Sequence, residues 1–159
     1  MTTDVPSTRL ETAGLQAFWV LRLAFFVAPI LFGIDKFFDW MVNWDRYLAP
    51  WIDDIVPGTA HQFMYFVGAV EIAAGLLVLV VPWIGGFVVA AWLGGIVINL
   101  LTNNAPEYYD IALRDFGLFL AALTLARLAL AVRARRRQPE QVTVAPARVL
   151  ATREQQPMH

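Results

Sequence analysis

The chain has 159 residues, of which 58% are hydrophobic and 16% are charged, and its formal net charge at pH 7 is −1. A soluble domain is about 45–50% apolar and about 25% charged, so this composition predicts a membrane protein. The near-zero net charge argues against a nucleic-acid partner, and the absence of cysteine excludes disulfides and thiolate metal sites.

The N-terminal end combines a polar segment with the first predicted span. Residues 1–14 include acidic groups, unlike the basic start of a cleavable signal peptide, so we expect a tail that is disordered or lies at the surface, followed by a retained span. Residues 15–40 form this span, which is long for a perpendicular crossing, so we expect it to tilt or to protrude at one end. Pro29 lies inside it and is expected to bend the helix. Arg22 lies shallow enough to reach an interface or an internal partner.

The segment after the first span, residues 43–58, is too polar to cross a membrane but carries a regular apolar stripe. Its members, at three- and four-residue steps, are Trp40, Trp44, Tyr47, Trp51 and Ile55. This pattern predicts a short interfacial helix, broken by Pro50 and ended by Pro57 and Gly58. The aromatic rings would act as membrane anchors or as a lid that stacks on a ligand. Thr59 is the predicted N-cap of the next helix.

Residues 60–81 form the second predicted span, which carries one carboxylate, Glu71, near its middle. An ionisable group at that depth is costly unless it has a partner. Gly68 and Gly75 lie on the same helix face as Glu71. We therefore expect this face to pack against protein instead of lipid.

The third predicted span covers residues 84–101 and follows a tight turn predicted at residues 82–86, so it should run antiparallel beside the second span. Small residues recur in it at four-residue steps, a pattern that lets helices approach closely. The two series are Ala90 and Gly94, and Ala91, Gly95 and Asn99.

The fourth predicted span, residues 108–132, is followed by a basic cluster in a tail, residues 133–159, that we expect to be disordered or docked on a partner. The cluster consists of Arg133, Arg135, Arg136 and Arg137. It predicts a cytoplasmic C terminus and, with four spans, a cytoplasmic N terminus. The sequence thus predicts an all-α membrane protein, an antiparallel four-transmembrane-helix bundle with a short interfacial helix in the first outer loop.

In this orientation, polar side chains from all four spans fall near the outer surface, with Glu71 the deepest. The candidate residues are Asp35, Lys36, Glu71, Asn99, Asn103, Asp110, Arg114 and Asp115. One interpretation is a structural network, in which Glu71 pairs with Arg114 or Lys36 and Asp110 pairs with Arg114. The other is an outward-facing polar pocket that binds the head group of a small amphipathic molecule or passes protons. The two interpretations are compatible.

No catalytic or metal-binding residue is predicted. His61 is the one histidine near the predicted spans, and a lone histidine at an interface is more often a polar anchor than a ligand. The arginine cluster after the fourth span fits a topology signal that contacts anionic lipids.

Three stretches resemble the DoxX-like family of small four-helix bacterial membrane proteins, over roughly residues 20–129. They are VLRLAFFVAPILFGIDKFFD, FVGAVEIAAGLLVLVVP and YYDIALRDFGLFLAALTL. The matching positions are Arg22, Gly33, Lys36, Phe37, Gly68, Glu71, Gly75, Asp110, Arg114 and Asp115. The outer loop is longer and richer in tryptophan than the family pattern, and the arginine-rich tail is an extension.

The resemblance implies a subunit linked to respiratory or oxidative-stress complexes, and some relatives belong to quinone-reducing oxidoreductases that act on sulfur compounds. We expect an accessory or assembly subunit of the bacterial plasma membrane, not catalytic alone, with membrane lipids and other subunits as partners. We expect no intrinsic cofactor, and a quinone or lipid as the bound molecule. The alternative is a quinone-interacting oxidoreductase subunit in which Glu71, Arg114 and Asn99 contact the quinone. A small-solute transporter is disfavoured because no continuous polar path is evident.

Overall fold

A computed structural model of the chain describes residues 5–103 and 106–137, and side chains from residue 9 onward. The described part is helical and contains no strand. Four of its helices are long and apolar enough to cross a membrane, which confirms the predicted helical class and the number of such helices. They are α1 (Val5–Asp35), α3 (Ala60–Val80), α4 (Pro82–Thr102) and α5 (Tyr109–Arg136). A short helix, α2 (Pro50–Asp53), lies between α1 and α3.

The chain divides into two compact units, Met1–Ala129 and Leu130–His159. The first unit contains every candidate site residue, and the contacts described below lie within it. The predicted C-terminal tail lies outside the described residues beyond Arg137.

The first long helix begins and ends earlier than the predicted span of residues 15–40. Residues 5–14, expected as a surface tail, belong to α1, and Pro29 lies inside the helix. The helix ends at Asp35, whose carboxylate accepts hydrogen bonds from the backbone N–H groups of Trp40 and Met41, each at 3.0 Å. These bonds turn the chain back at the helix end, where Asp39 adopts a positive φ of 51°.

The loop between α1 and α3 contains two short helical turns instead of one helix broken at Pro50. A 3₁₀ turn spans Trp44–Tyr47, and Pro50 begins α2, where its fixed φ suits the first helical position and its missing N–H costs nothing. Thr59 caps α3 as predicted, because its side chain accepts from the Gln62 N–H while the Gln62 side chain accepts from the Thr59 N–H.

The turn between α3 and α4 is tighter than predicted, since Val81 alone separates the two helices. Gly85 and Gly86, expected in the turn, lie inside α4. A Cβ added to Gly85 would lie 2.5 Å from the backbone nitrogen of Val78, and one added to Gly86 would lie 2.9 Å from that of Ala126. These glycines are therefore needed for close helix packing and not for the turn itself.

α1 and α3 pack closely along the face that carries Glu71. A Cβ added to Gly33 would lie 2.6 Å from the carbonyl oxygen of Gly68, and one added to Gly75 would lie 3.0 Å from that of Phe26. Residue numbers rise along α1 as they fall along α3, so this pair of helices runs in opposite directions. Gly68, Glu71 and Gly75 are all buried, which confirms that this face packs against protein.

The small-residue series of α4 has one packed side and one exposed side. Ala90 is buried, and Gly94 approaches the ring of Phe119 on α5. Ala91 and Gly95 are exposed, and no atom lies within 4 Å of a Cβ added to Gly95. The close approach predicted along Ala91 and Gly95 is therefore wrong within the described chain.

Candidate functional site

A buried ion pair joins α3 to the residue that follows α1. Lys36 Nζ lies 2.7 Å from Glu71 Oε2, and the two side chains are 5% and 9% exposed. The same ammonium group lies 3.7 Å from the ring centroid of Trp44, which places the aromatic ring over the cation. Of the two cations considered as partners of Glu71, the structure therefore selects Lys36, and a loop tryptophan covers it.

Two further side chains face this ion pair from α4 and α5. Asp115, half-buried on α5, lies near enough to interact electrostatically with both Glu71 and Lys36. The Trp92 indole on α4 faces Glu71, and its buried N–H is directed at the Glu71 carboxylate without reaching the geometry of a standard hydrogen bond. The ion pair thus has a second carboxylate and a loosely held hydrogen-bond donor beside it.

Asp35 forms hydrogen bonds with the loop and does not line an open pocket. It is 2% exposed, and besides the two backbone N–H groups at the end of α1, its Oδ2 accepts a hydrogen bond from the Trp44 indole N–H at 2.7 Å. A carboxylate that accepts three donors is well satisfied when buried. Through this bond Asp35 holds Trp44 above Lys36.

The end of α4 holds the backbone of the same loop. Asn99 uses both ends of its amide, since Oδ1 accepts from the Ala49 N–H at 2.9 Å and Nδ2 donates to the Tyr47 carbonyl at 2.6 Å. Asn103 is 1% exposed and donates from Nδ2 to the Arg46 carbonyl at 3.0 Å. Asn99 and Asn103 therefore bind the loop across 50 to 57 residues of sequence.

The remaining predicted residues, at the start of α5, are not brought into the ion pair. Asp110 and Arg114 are exposed, and neither makes an ion pair within 4 Å in residues 5–103 and 106–137. The predicted pairs of Arg114 with Glu71 and with Asp110 are therefore not formed in this part of the chain. Arg114 precedes Asp115 by one residue, which turns its side chain about 100° around the helix from the face on which Asp115 lies.

His61, predicted as a lone polar anchor, lies in the first turn of α3 and faces the loop. Its Nδ1 is 3.3 Å from Asp45 Oδ1 and 4.0 Å from Asp39 Oδ2, and its Nε2 is 2.8 Å from the Tyr65 hydroxyl. In the described residues no group of three or more His, Asp or Glu side chains could hold a metal ion. His61 thus acts as a further contact between the loop and the start of α3.

Sequence reasoning missed the roles of Trp44 and Trp92. Trp44 was assigned to the apolar stripe, and its indole contact with Asp35 depends on how the chain turns after α1. Trp92 gave no signal, because a tryptophan in an apolar span is most often a packing residue.

No protein-family model, curated protein or solved structure matches this chain.

Proposed function

We propose that this chain is an accessory or assembly subunit of a respiratory or oxidative-stress-linked complex in a bacterial cytoplasmic membrane. It is a DoxX-like antiparallel four-span bundle with cytoplasmic termini and a loop helix at the outer membrane surface. The observation that carries the proposal is that buried or half-buried polar side chains are engaged in holding the outer loop. Asp35, Asn99 and Asn103 all form hydrogen bonds with this loop. These hydrogen bonds fix the loop, residues 36–59, as a platform at the ends of the helices. Few polar groups are then left for catalysis.

The platform presents apolar side chains at its rim. Trp40, Trp51 and Ile55 are 75%, 47% and 71% exposed, although their backbone belongs to the fastened loop. Tryptophan is favoured both at the lipid headgroup level and in protein interfaces. A fixed, aromatic surface above four apolar helices suits a subunit that contacts neighbours at the outer side of a membrane complex.

Co-purification at native abundance tests the subunit assignment. A tagged chain, expressed from its own locus and extracted in mild detergent, should migrate with subunits of a respiratory complex in a fixed ratio, and tagging one of those subunits should recover the chain. Asn99→Ala loosens the platform and should lower the recovery, whereas Thr124→Ala, whose hydroxyl bonds within its own helix, should not. A chain that runs as a monomer at native abundance argues against the proposal.

The proposed orientation is tested separately by cysteine labelling, which has no background because the chain lacks cysteine. A membrane-impermeant maleimide should label Asp54→Cys in intact cells and Arg137→Cys after permeabilisation alone. Labelling of Arg137→Cys in intact cells would reverse the topology.

A second candidate function, a quinone-interacting oxidoreductase subunit, is favoured by the surroundings of Glu71. The Trp92 indole N–H faces the Lys36–Glu71 pair without a well-formed hydrogen bond, so a carbonyl oxygen of a bound head group could compete with Glu71 for this donor. Asp115 on α5 would supply a second carboxylate for proton exchange. A partner subunit would then complete the redox reaction.

Quinone binding decides this second candidate. The purified chain should bind a ubiquinone or menaquinone analogue, and Glu71→Gln and Trp92→Phe should each weaken the binding. Thr124→Ala provides the control, because its hydroxyl bonds within its own helix and holds no part of the loop. Equal binding by the wild type and Glu71→Gln would remove the role of Glu71 in quinone recognition.

A further inference from the structure

Arg22 is a cation in the apolar helix α1 that lies at the opposite end of α3 from the outer loop. Its Nη2 donates to the carbonyl oxygen of Leu79, in the last turn of α3. The last carbonyl groups of a helix accept no hydrogen bond from within that helix, and they carry its partial negative charge. Arg22 is thus held in place by a helix end, which supplies a dipole instead of a full counter-charge.

No full negative charge is paired with Arg22 in the part of the chain that the structure describes. The ion pairs described above are made by Lys36 and His61. Within the described residues, no carboxylate oxygen lies within 4 Å of the Arg22 guanidinium. Its Nε is buried without a hydrogen-bond partner. A charged group at membrane depth is costly unless it is paired or reaches the headgroup region.

The position of Arg22 fits the headgroup region of a membrane. α3 has 21 residues, a length of about 31 Å that matches the hydrocarbon thickness of a bilayer. Since Arg22 contacts Leu79 and α3 ends at Val80, Arg22 lies at one boundary of that layer. The guanidinium carbon lies 5.0 Å from the ring centroid of Trp19, an exposed tryptophan of the kind found at this level.

The start of α4 adds to the positive potential at the same place. α4 begins at Pro82, three residues after Leu79, and Val81 at its N-cap provides no side-chain hydrogen bond. A helix N-terminus carries a partial positive charge that favours anions. Arg22 and this helix start therefore both favour an anionic group at the membrane boundary.

We propose that Arg22 binds the phosphate group of an anionic phospholipid at the membrane boundary formed by the α3–α4 junction. A guanidinium fork matches phosphate oxygens in geometry and charge, and Arg22 retains donors beyond the one that bonds Leu79. The acyl chains of the lipid would lie along the apolar surface of α1, where Leu23 and Val27 are exposed.

Lipid binding to the full-length chain in neutral detergent tests this site. Native mass spectrometry should show tighter binding of phosphatidylglycerol than of phosphatidylcholine with the same acyl chains. Arg22→Gln should weaken phosphatidylglycerol binding by about tenfold or more, the value of one charged hydrogen bond. Arg46→Gln, which removes an exposed positive charge from the outer loop, should change it less than about twofold.

Three outcomes would overturn the proposal. They are equal affinity for the two lipids, equal losses in Arg22→Gln and Arg46→Gln, and displacement of the lipid by millimolar inorganic phosphate where chloride at the same ionic strength has no effect. The last outcome would assign the phosphate site to a soluble anion. If Arg22→Gln fails to fold, Arg22→Lys compared with Arg46→Lys decides, because lysine keeps the charge and loses the fork.

Discussion

Lys36 and Glu71 form a buried ion pair whose contribution to stability depends on both partners being present. Removing two charges from water costs several kcal/mol per ion, and the attraction between them offsets that cost when the geometry is close. Here the oxygen–nitrogen distance is 2.7 Å, and the Trp44 ring contributes a cation–π interaction to the same ammonium group. The pair therefore fixes the position of the loop relative to α3 more than it adds net stability.

The first prediction concerns removal of one charge or of both. Lys36→Met and Glu71→Leu should each lower the free energy of unfolding by about 3–5 kcal/mol, because each leaves an uncompensated buried charge. The double variant should be more stable than the sum of the two losses implies, since no lone charge remains. Reversible unfolding in mixed detergent micelles measures all three, and strictly additive losses would show that the two charges are not coupled.

At the scale of helices, a spacing of small residues shows which face of a helix can approach another, but it does not show whether a partner is present. Gly68 and Gly75 were predicted to face protein because they flank Glu71, whose burial requires a neighbour, and they do. Ala91 and Gly95 have the same kind of spacing without a polar residue that demands burial, and they are exposed.

The second prediction compares glycines in these two settings. Gly68→Ala should destabilise the chain by about 1–3 kcal/mol, because its Cβ would lie 2.6 Å from the carbonyl oxygen of Gly33, and backbone cannot move aside cheaply. Gly95→Ala should be neutral or slightly stabilising, since no atom lies within 4 Å of its Cβ and alanine favours the helix. The same unfolding assay measures both, and similar effects would contradict the α1–α3 packing.

The loop between α1 and α3 is the element whose structure depends most on distant residues. Asn99→Ala removes two hydrogen bonds to loop backbone, at Ala49 and Tyr47, so the third prediction is faster amide exchange across residues 44–55. Exchange in the middle of α3 should stay unchanged, because its hydrogen bonds lie within the helix. Thr124→Ala is the control. Unchanged exchange in the loop would mean that Asn99 does not fasten it.

For the whole molecule, hydrophobic runs predicted four helices because each run is long enough to cross a bilayer. The predicted polar layer was also partly correct in its residues, since Asp35, Lys36, Glu71, Asn99 and Asn103 all lie buried or half-buried. Their roles were not predictable from spacing. Asp35 and Asn99 bind loop backbone groups, and which backbone atoms reach them depends on the turn after α1. The sequence also did not decide whether Glu71 pairs with Lys36 or with Arg114, because that depends on where the helices end relative to one another.

The length of α1 relative to α3 leads to the last prediction, which concerns the depth of α1 in the membrane. Phe26 lies against Gly75 and Gly33 against Gly68, so the middle of α3, near Val70, lies opposite Leu31. Gln16 then lies about 22 Å along the helix from Leu31, beyond the hydrocarbon half-thickness of about 15 Å. The predicted span of residues 15–40 is centred near Val27, about 17 Å along the helix from Gln16, so with the expected tilt it keeps Gln16 close to the membrane boundary instead.

Spin labels on single cysteines distinguish these two depths, and the cysteine-free sequence requires no prior substitution. A label at Leu31, an exposed position of α1, should collide most with oxygen, and a label at Val20 should lie near the headgroups. A label at Gln16 should collide mainly with a water-soluble relaxation agent. If Gln16 and Val20 are as deep as Leu31, α1 crosses the bilayer over its earlier residues, and Arg22 moves away from the boundary at which the lipid phosphate is proposed to bind.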